Sequence, residues 1–103
     1  TVMAAHHHPP LGDIAIVAMP GEIFTAWGLE IKRYSPARQT LVVELASSHD
    51  GLTGYKATVD QCVRGARAKG AYGALPTLSQ KHCPAAGQIM TDAAIEMLYQ
   101  LWQ

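Results

Sequence analysis

The sequence predicts an α/β fold: a βαβ unit, a long loop region and a C-terminal helix, together a segment of a larger mixed-sheet domain. Three stretches carry this expectation. GDIAIVAM, Gly12 to Met19, is a short apolar run rich in β-branched residues and closed by Pro20, the pattern of a strand buried on both faces. From Gly21 the apolar spacing lengthens to a helical period. QTLVVELA, Gln39 to Ala46, then returns to a strand pattern. A strand, a helix and a strand at this spacing imply parallel strands joined by a crossover.

Taken in order, Thr1 to Leu11 (TVMAAHHHPPL) reads as an extended lead-in, or as the trimmed edge of something longer; residues 12–103 read as the α/β segment. In the first helix Ile23, Phe24, Trp27, Ile31 and Tyr34 share a face. Lys32 and Arg33 fall at its far end, where the helix dipole favours cations, and Ser35-Pro36 stops it. Residues 47–81 read mostly as loop, with a helical turn near Thr58 to Val63. A structureless stretch that long inside a compact domain points to function or to a missing partner. Pro84 suits the first turn of the last helix. Met90, Ala93, Ala94, Met97, Leu98 and Leu101 form its apolar face, with Asp92, Glu96, Gln100 and Gln103 opposite.

Composition narrows the function classes. At 103 residues the chain suits one domain with a modest core. Its formal net charge is zero and its few basic residues are scattered, which argues against binding to nucleic acid or an anionic membrane by bulk electrostatics. No apolar run approaches the ~20 residues of a transmembrane helix, and the N-terminal stretch does not read as a signal peptide. Cys62 and Cys83 lack CxxC spacing and read as free thiols, although they could pair with each other.

Several residue groups carry chemistry worth weighing. Glu22 lies at a strand-to-helix turn, at the C-terminal edge of a sheet, where α/β proteins place their sites. The ordinary reading is a helix-start carboxylate worth ~0.3–1 kcal/mol through the dipole. His6, His7 and His8 offer imidazoles to a metal, but neighbours on an extended chain point to opposite sides, and no familiar zinc spacing links them to His49 or His82-Cys83. Ser47-Ser48-His49-Asp50 holds the residue types of a hydrolytic triad, yet adjacent residues do not meet in triad geometry, and a turn explains the string better. Gly65 to Gly73 (GARAKGAYG) matches no nucleotide loop. Tyr55 and Tyr72, each preceded by a small residue, read by themselves as packing or hydrogen-bonding residues.

The order of these elements changes the weights. GDIAIVAMPGEIFTAWGLEIKRYSP is followed by LVVELASSHDGLTGY, a spacer, GAYGA, and a closing PAAG-plus-helix. Over about Gly12 to Leu101 this resembles the C-terminal part of the catalytic domain of the neutral/alkaline (non-lysosomal) ceramidase family, and looks closest to its bacterial relatives. The resemblance implies a zinc-dependent amide hydrolase with one Zn2+ held by two histidines, a glutamate and a tyrosine. It assigns the metal-ligand glutamate of PGE to Glu22 and the metal-ligand tyrosine of the GY element to Tyr55. A second tyrosine that stabilises the oxyanion, a catalytic role, matches Tyr72. Where the family pattern continues that tyrosine with glutamate, Gly73 follows here, and Ala66 to Gly70 read as an insertion.

The resemblance also implies a partner. The family's two histidine ligands precede PGE by a long interval, so an upstream portion of the same catalytic domain would supply them. It further implies export and, as substrate class, an amide-containing lipid such as ceramide, although IFTAWGLEIK stands where ceramidases proper carry a threonine- and arginine-rich continuation. Two other readings remain open: a non-catalytic interaction or structural module that keeps the fold's edge, and an unrelated small α/β domain with a coincidental PGE.

Overall fold

The computed structural model describes residues 3–5, 13–46, 54–67 and 84–103, with backbone alone at 3–5 and 65–67. Its elements run β1 (Met3–Ala5), β2 (Ile14–Ala18), β3 (Glu22–Ile23), α1 (Thr25–Tyr34), β4 (Gln39–Val43), β5 (Tyr55–Lys56), α2 (Val59–Arg67) and α3 (Ala86–Leu101). The architecture is α/β, and β2-α1-β4 is the βαβ unit that the hydrophobic period implies. β2 and β4 are parallel, from Ile14 opposite Gln39 to Ala18 opposite Val43. β1 adds an antiparallel strand on the other side of β2, and β3 and β5 form a separate parallel pair.

β2 differs from the expected two-sided burial. Ala15 and Val17 are fully buried, whereas Ile14, Ile16 and Ala18 are half-buried. The cause lies in the helices, which both pack on one face: Ala15, Val17 and Met19 share a core cluster with Ile31 of α1 and with Ala94 and Leu98 of α3. Full burial of a side chain such as Ile31 or Leu98 contributes ~1.5–3 kcal/mol relative to leaving it in water. Along α3, Asp92, Glu96, Gln100 and Gln103 are exposed as expected, but Ala93 is exposed too. Gly87 and Thr91 take buried positions instead.

Helix α1 begins at Thr25 rather than at Gly21. Gly21 takes the left-handed backbone (φ 76°), and Glu22 and Ile23 are extended in β3, so the helical period cannot be realised until Phe24 has passed. The helix ends as the sequence indicates: Lys32 and Arg33 occupy the last turn, and Ser35 is extended ahead of Pro36. Ser35 Oγ then accepts hydrogen bonds from the Ala37 N–H (3.2 Å) and the Thr40 hydroxyl (2.7 Å), turning the chain into β4. The helical turn expected near Thr58 to Val63 is a full helix, α2, extending to Arg67.

Two tryptophans join the layers. The Trp27 indole N–H donates to the Lys56 carbonyl (2.9 Å), tying α1 to β5, while its ring lies against the bare Cα of Gly87 on α3. Near the other end of the sheet the Trp102 indole N–H donates to Asp13 Oδ1 (2.9 Å). Between the helices Thr91 is fully buried, and its hydroxyl has no hydrogen-bond partner among the described residues.

The glycines of α1 and α3 make opposite predictions. A Cβ at Gly28 would meet nothing within 4 Å, so Gly28→Ala is expected to stabilise the fold by ~0.5–1 kcal/mol through helix propensity. A Cβ at Gly87 would meet the Trp27 ring, with Cε2 at 2.7 Å, so Gly87→Ala is expected to destabilise it by ~1–3 kcal/mol despite the better propensity. Urea unfolding of both variants checks this; equal shifts would contradict the Trp27–Gly87 contact.

Candidate functional site

Glu22 and Tyr55 are cross-strand partners. In the parallel β3–β5 pair the register sets Glu22 opposite Tyr55 and Ile23 opposite Lys56. Partners in a parallel pair project from the same face of strands ~4.8 Å apart. The carboxylate and the phenol are therefore neighbours by register, which separation in sequence does not reveal. Each follows a glycine in a backbone conformation that side chains avoid, Gly21 at φ 76° and Gly54 at φ 107°. At Gly21 the need for glycine is also steric, because a Cβ would lie 2.8 Å from Lys56 Nζ and 2.5 Å from the Gly54 carbonyl oxygen.

Main-chain bonds from three segments fix the frame. The Glu22 N–H donates to the Gly54 carbonyl (3.1 Å) and the Phe24 N–H to that of Lys56 (3.3 Å). On the opposite side of the same strand, the Leu45 N–H donates to the Gly21 carbonyl (2.9 Å). Leu45 itself adopts φ 55°, a strained conformation for a leucine. The Tyr55 ring meets Phe24 edge-on, centroids 6.2 Å apart and planes at 86°. Phe24 also packs on the small cluster of Ala57 and Cys62. Glu22 and Tyr55 are both half-buried, and the Glu22 carboxylate makes no hydrogen bond or ion pair among the described residues.

Lys56 is a site residue that the sequence reading passes over. It is buried, and its ammonium donates to the Gly54 carbonyl (2.8 Å), the oxygen that also receives the Glu22 N–H. Strand alternation sets its stem on the face away from Tyr55. Burial pushes the Lys56 pKa below its ordinary 10.5, because the charged form loses its hydration. The available signal was alternation within a Gly-Tyr-Lys turn, which a reading of residues 47–81 as loop discards.

Tyr72, His6 to His8, His49 and His82-Cys83 lie outside the described residues, as does Ser47 to Asp50. Cys62 is buried on α2. Among the described residues no three His, Cys, Asp or Glu side chains gather as a metal site. A groove of about 240 Å³ lies between α1 and β4, lined by Ile23, Phe24, Thr25, Leu29, Val42 and Glu44 among others. It shares Phe24 with the site but not Glu22 or Tyr55.

No known protein family, curated protein or solved structure matches the chain.

Lys56 generates a pH prediction. Between its lowered folded pKa and 10.5 the unfolded chain binds the proton that the folded chain lacks, so stability rises with pH across that window. Lys56→Met removes the buried charge and keeps the stem. The variant should therefore be at least as stable as the parent near neutral pH, with its advantage shrinking as pH approaches 10.5. Denaturant unfolding of both proteins at a series of pH values checks the sign; a growing advantage would contradict it.

Proposed function

We propose that this chain is the C-terminal portion of a zinc-dependent amidohydrolase, contributing Glu22 and Tyr55 as metal ligands. The observation that supports this reading is their cross-strand register, which lets one ion lie between a carboxylate and a phenol. Both are oxygen donors of the kind zinc accepts, and they make up half of a four-coordinate set. The other half is two histidines from an upstream portion of the same catalytic domain. Zinc would supply Lewis-acid activation of water near neutral pH.

The chain's own residues do the rest of the work. The glycine-led turns and the shared Gly54 carbonyl hold the backbones of Glu22 and Tyr55 at fixed spacing, so the main chain needs no rearrangement when an ion arrives. Phe24 pins the Tyr55 ring from the side and limits its rotation. Tyr72 is the phenol that donates to the developing oxyanion of the amide carbonyl. The substrate class that goes with this reading is an amide-containing lipid such as ceramide, in an exported enzyme.

The second reading, a non-catalytic interaction module, is favoured by a different observation. Leu41, Val43 and Leu45 are all exposed at and just beyond β4, an apolar row that parallel sheets normally cover. No helix of the described residues is long and apolar enough to cross a membrane.

Native mass spectrometry of the chain together with its upstream polypeptide separates the two. The amidohydrolase reading expects one zinc per complex and amide hydrolysis. Glu22→Gln should lose the zinc and slow hydrolysis by at least ~100-fold, more than a neighbour that merely orients a ligand costs. Zinc retained at full stoichiometry in Glu22→Gln would sink the ligand assignment.

A further inference from the structure

β4 is an open edge of the three-stranded sheet among the described residues. The Gln39 N–H donates to Asp13 and the Val43 carbonyl accepts from Met19, so residues 39, 41 and 43 turn their backbone groups inward, toward β2. By strand alternation Thr40 and Val42 turn theirs outward. β5 does not cover that side. The Gly21 carbonyl reaches toward Leu45, whereas the N–H of the same planar peptide points the opposite way, to Gly54. Exposed edges are normally blunted by charge, proline or a bulge, yet QTLVV has neither a charge nor a proline, and pairs with β2 without a bulge. Leu41 and Val43 on it are about half exposed, at 54% and 47%.

The two flanking residues suggest what the edge receives. Arg38 precedes β4 and Glu44 follows it; both are exposed, and neither is in an ion pair or hydrogen bond among the described residues. We propose that β4 pairs antiparallel with β4 of a second copy of this chain, across a two-fold axis at Leu41. Antiparallel partners must share a face, which restricts the axis to a residue rather than a gap between residues. An axis at Leu41 pairs the whole strand: Gln39 with Val43, Thr40 with Val42, and Leu41 with its own copy. It also brings Arg38 opposite Glu44 of the second copy, twice by symmetry. Moving the axis to Thr40 sets Arg38 opposite Val42, and moving it to Val42 sets Arg38 opposite Ala46, with strand ends unpaired in both cases.

Full pairing and charge complementarity thus select the same register. Thr40 and Val42, whose backbone groups face outward, become the hydrogen-bonded pairs. Leu41 meets its copy as the non-hydrogen-bonded pair, where side chains approach most closely. The edge lies across the strand from Glu22 and Tyr55, so this inference is independent of the metal reading.

Sedimentation equilibrium of the full chain from about 1 μM to about 1 mM tests it over the range of weak interfaces. The expected species is a dimer of twice the 11.1 kDa chain mass. Arg38→Glu or Glu44→Arg alone replaces two attractions by two repulsions, and each should weaken dimerisation at least ~10-fold. The Arg38→Glu/Glu44→Arg double variant should restore it, and Leu41→Lys should abolish it. Circular dichroism confirms that each variant is folded, and the surface charge variants decide the matter even if Leu41→Lys is not. A monomer at every concentration overturns the proposal and leaves the edge to a strand of another polypeptide. A dimer indifferent to both single reversals overturns it equally.

Discussion

The peptide bond between Gly21 and Glu22 is the joint on which the arrangement depends. Being planar, it must send its carbonyl and its N–H in opposite directions. Here the carbonyl is taken by Leu45, just past β4, and the N–H by Gly54, just ahead of β5. One peptide therefore couples the three-stranded sheet to the two-stranded one and sets the height at which Glu22 faces Tyr55. Only a glycine allows the left-handed turn at that point without driving a Cβ into the Gly54 carbonyl and the Lys56 ammonium.

The same joint explains why a charged lysine is tolerated inside. Burying an ammonium is costly unless it finds an acceptor, and the space left by the missing Cβ of Gly21 admits Lys56 to the Gly54 oxygen. Around that point the Lys56 carbonyl accepts from both the Phe24 N–H and the Trp27 indole. A residue whose head and backbone are both spent on neighbouring turns stiffens the region. That rigidity suits a pair of oxygen donors held at fixed spacing.

Sequence period revealed the scaffold better than the site. The β2-α1-β4 unit and the wet stripe of α3 were legible because each rests on an apolar repeat several residues long. β3 and β5 were not, because strands of two residues carry no period at all. Their existence rests on backbone bonds between segments far apart in the chain. For the same reason Glu22 reads locally as a helix-start carboxylate, although α1 has no acidic residue in its first turn and Glu22 belongs to a strand. The one-sided burial of β2 was hidden too: a run of apolar residues looks the same whether helices cover one face or two. Ala93, expected on the apolar face of α3, is exposed, whereas Thr91 and Gly87 are buried, Gly87 against the Trp27 ring.

The bond between Trp102 and Asp13 joins residues 89 apart in sequence. It has a kinetic meaning. Contacts that close long loops form late, since the entropy of closure is lost before the contact repays it. During synthesis β2, α1 and β4 leave the ribosome well before α3, so Val17, Met19 and Ile31 wait without the Ala94 and Leu98 side chains that complete their core. The core is therefore complete only once α3 has packed, and a nascent chain stalled before Ala86 would present it unfinished to the cell's chaperones.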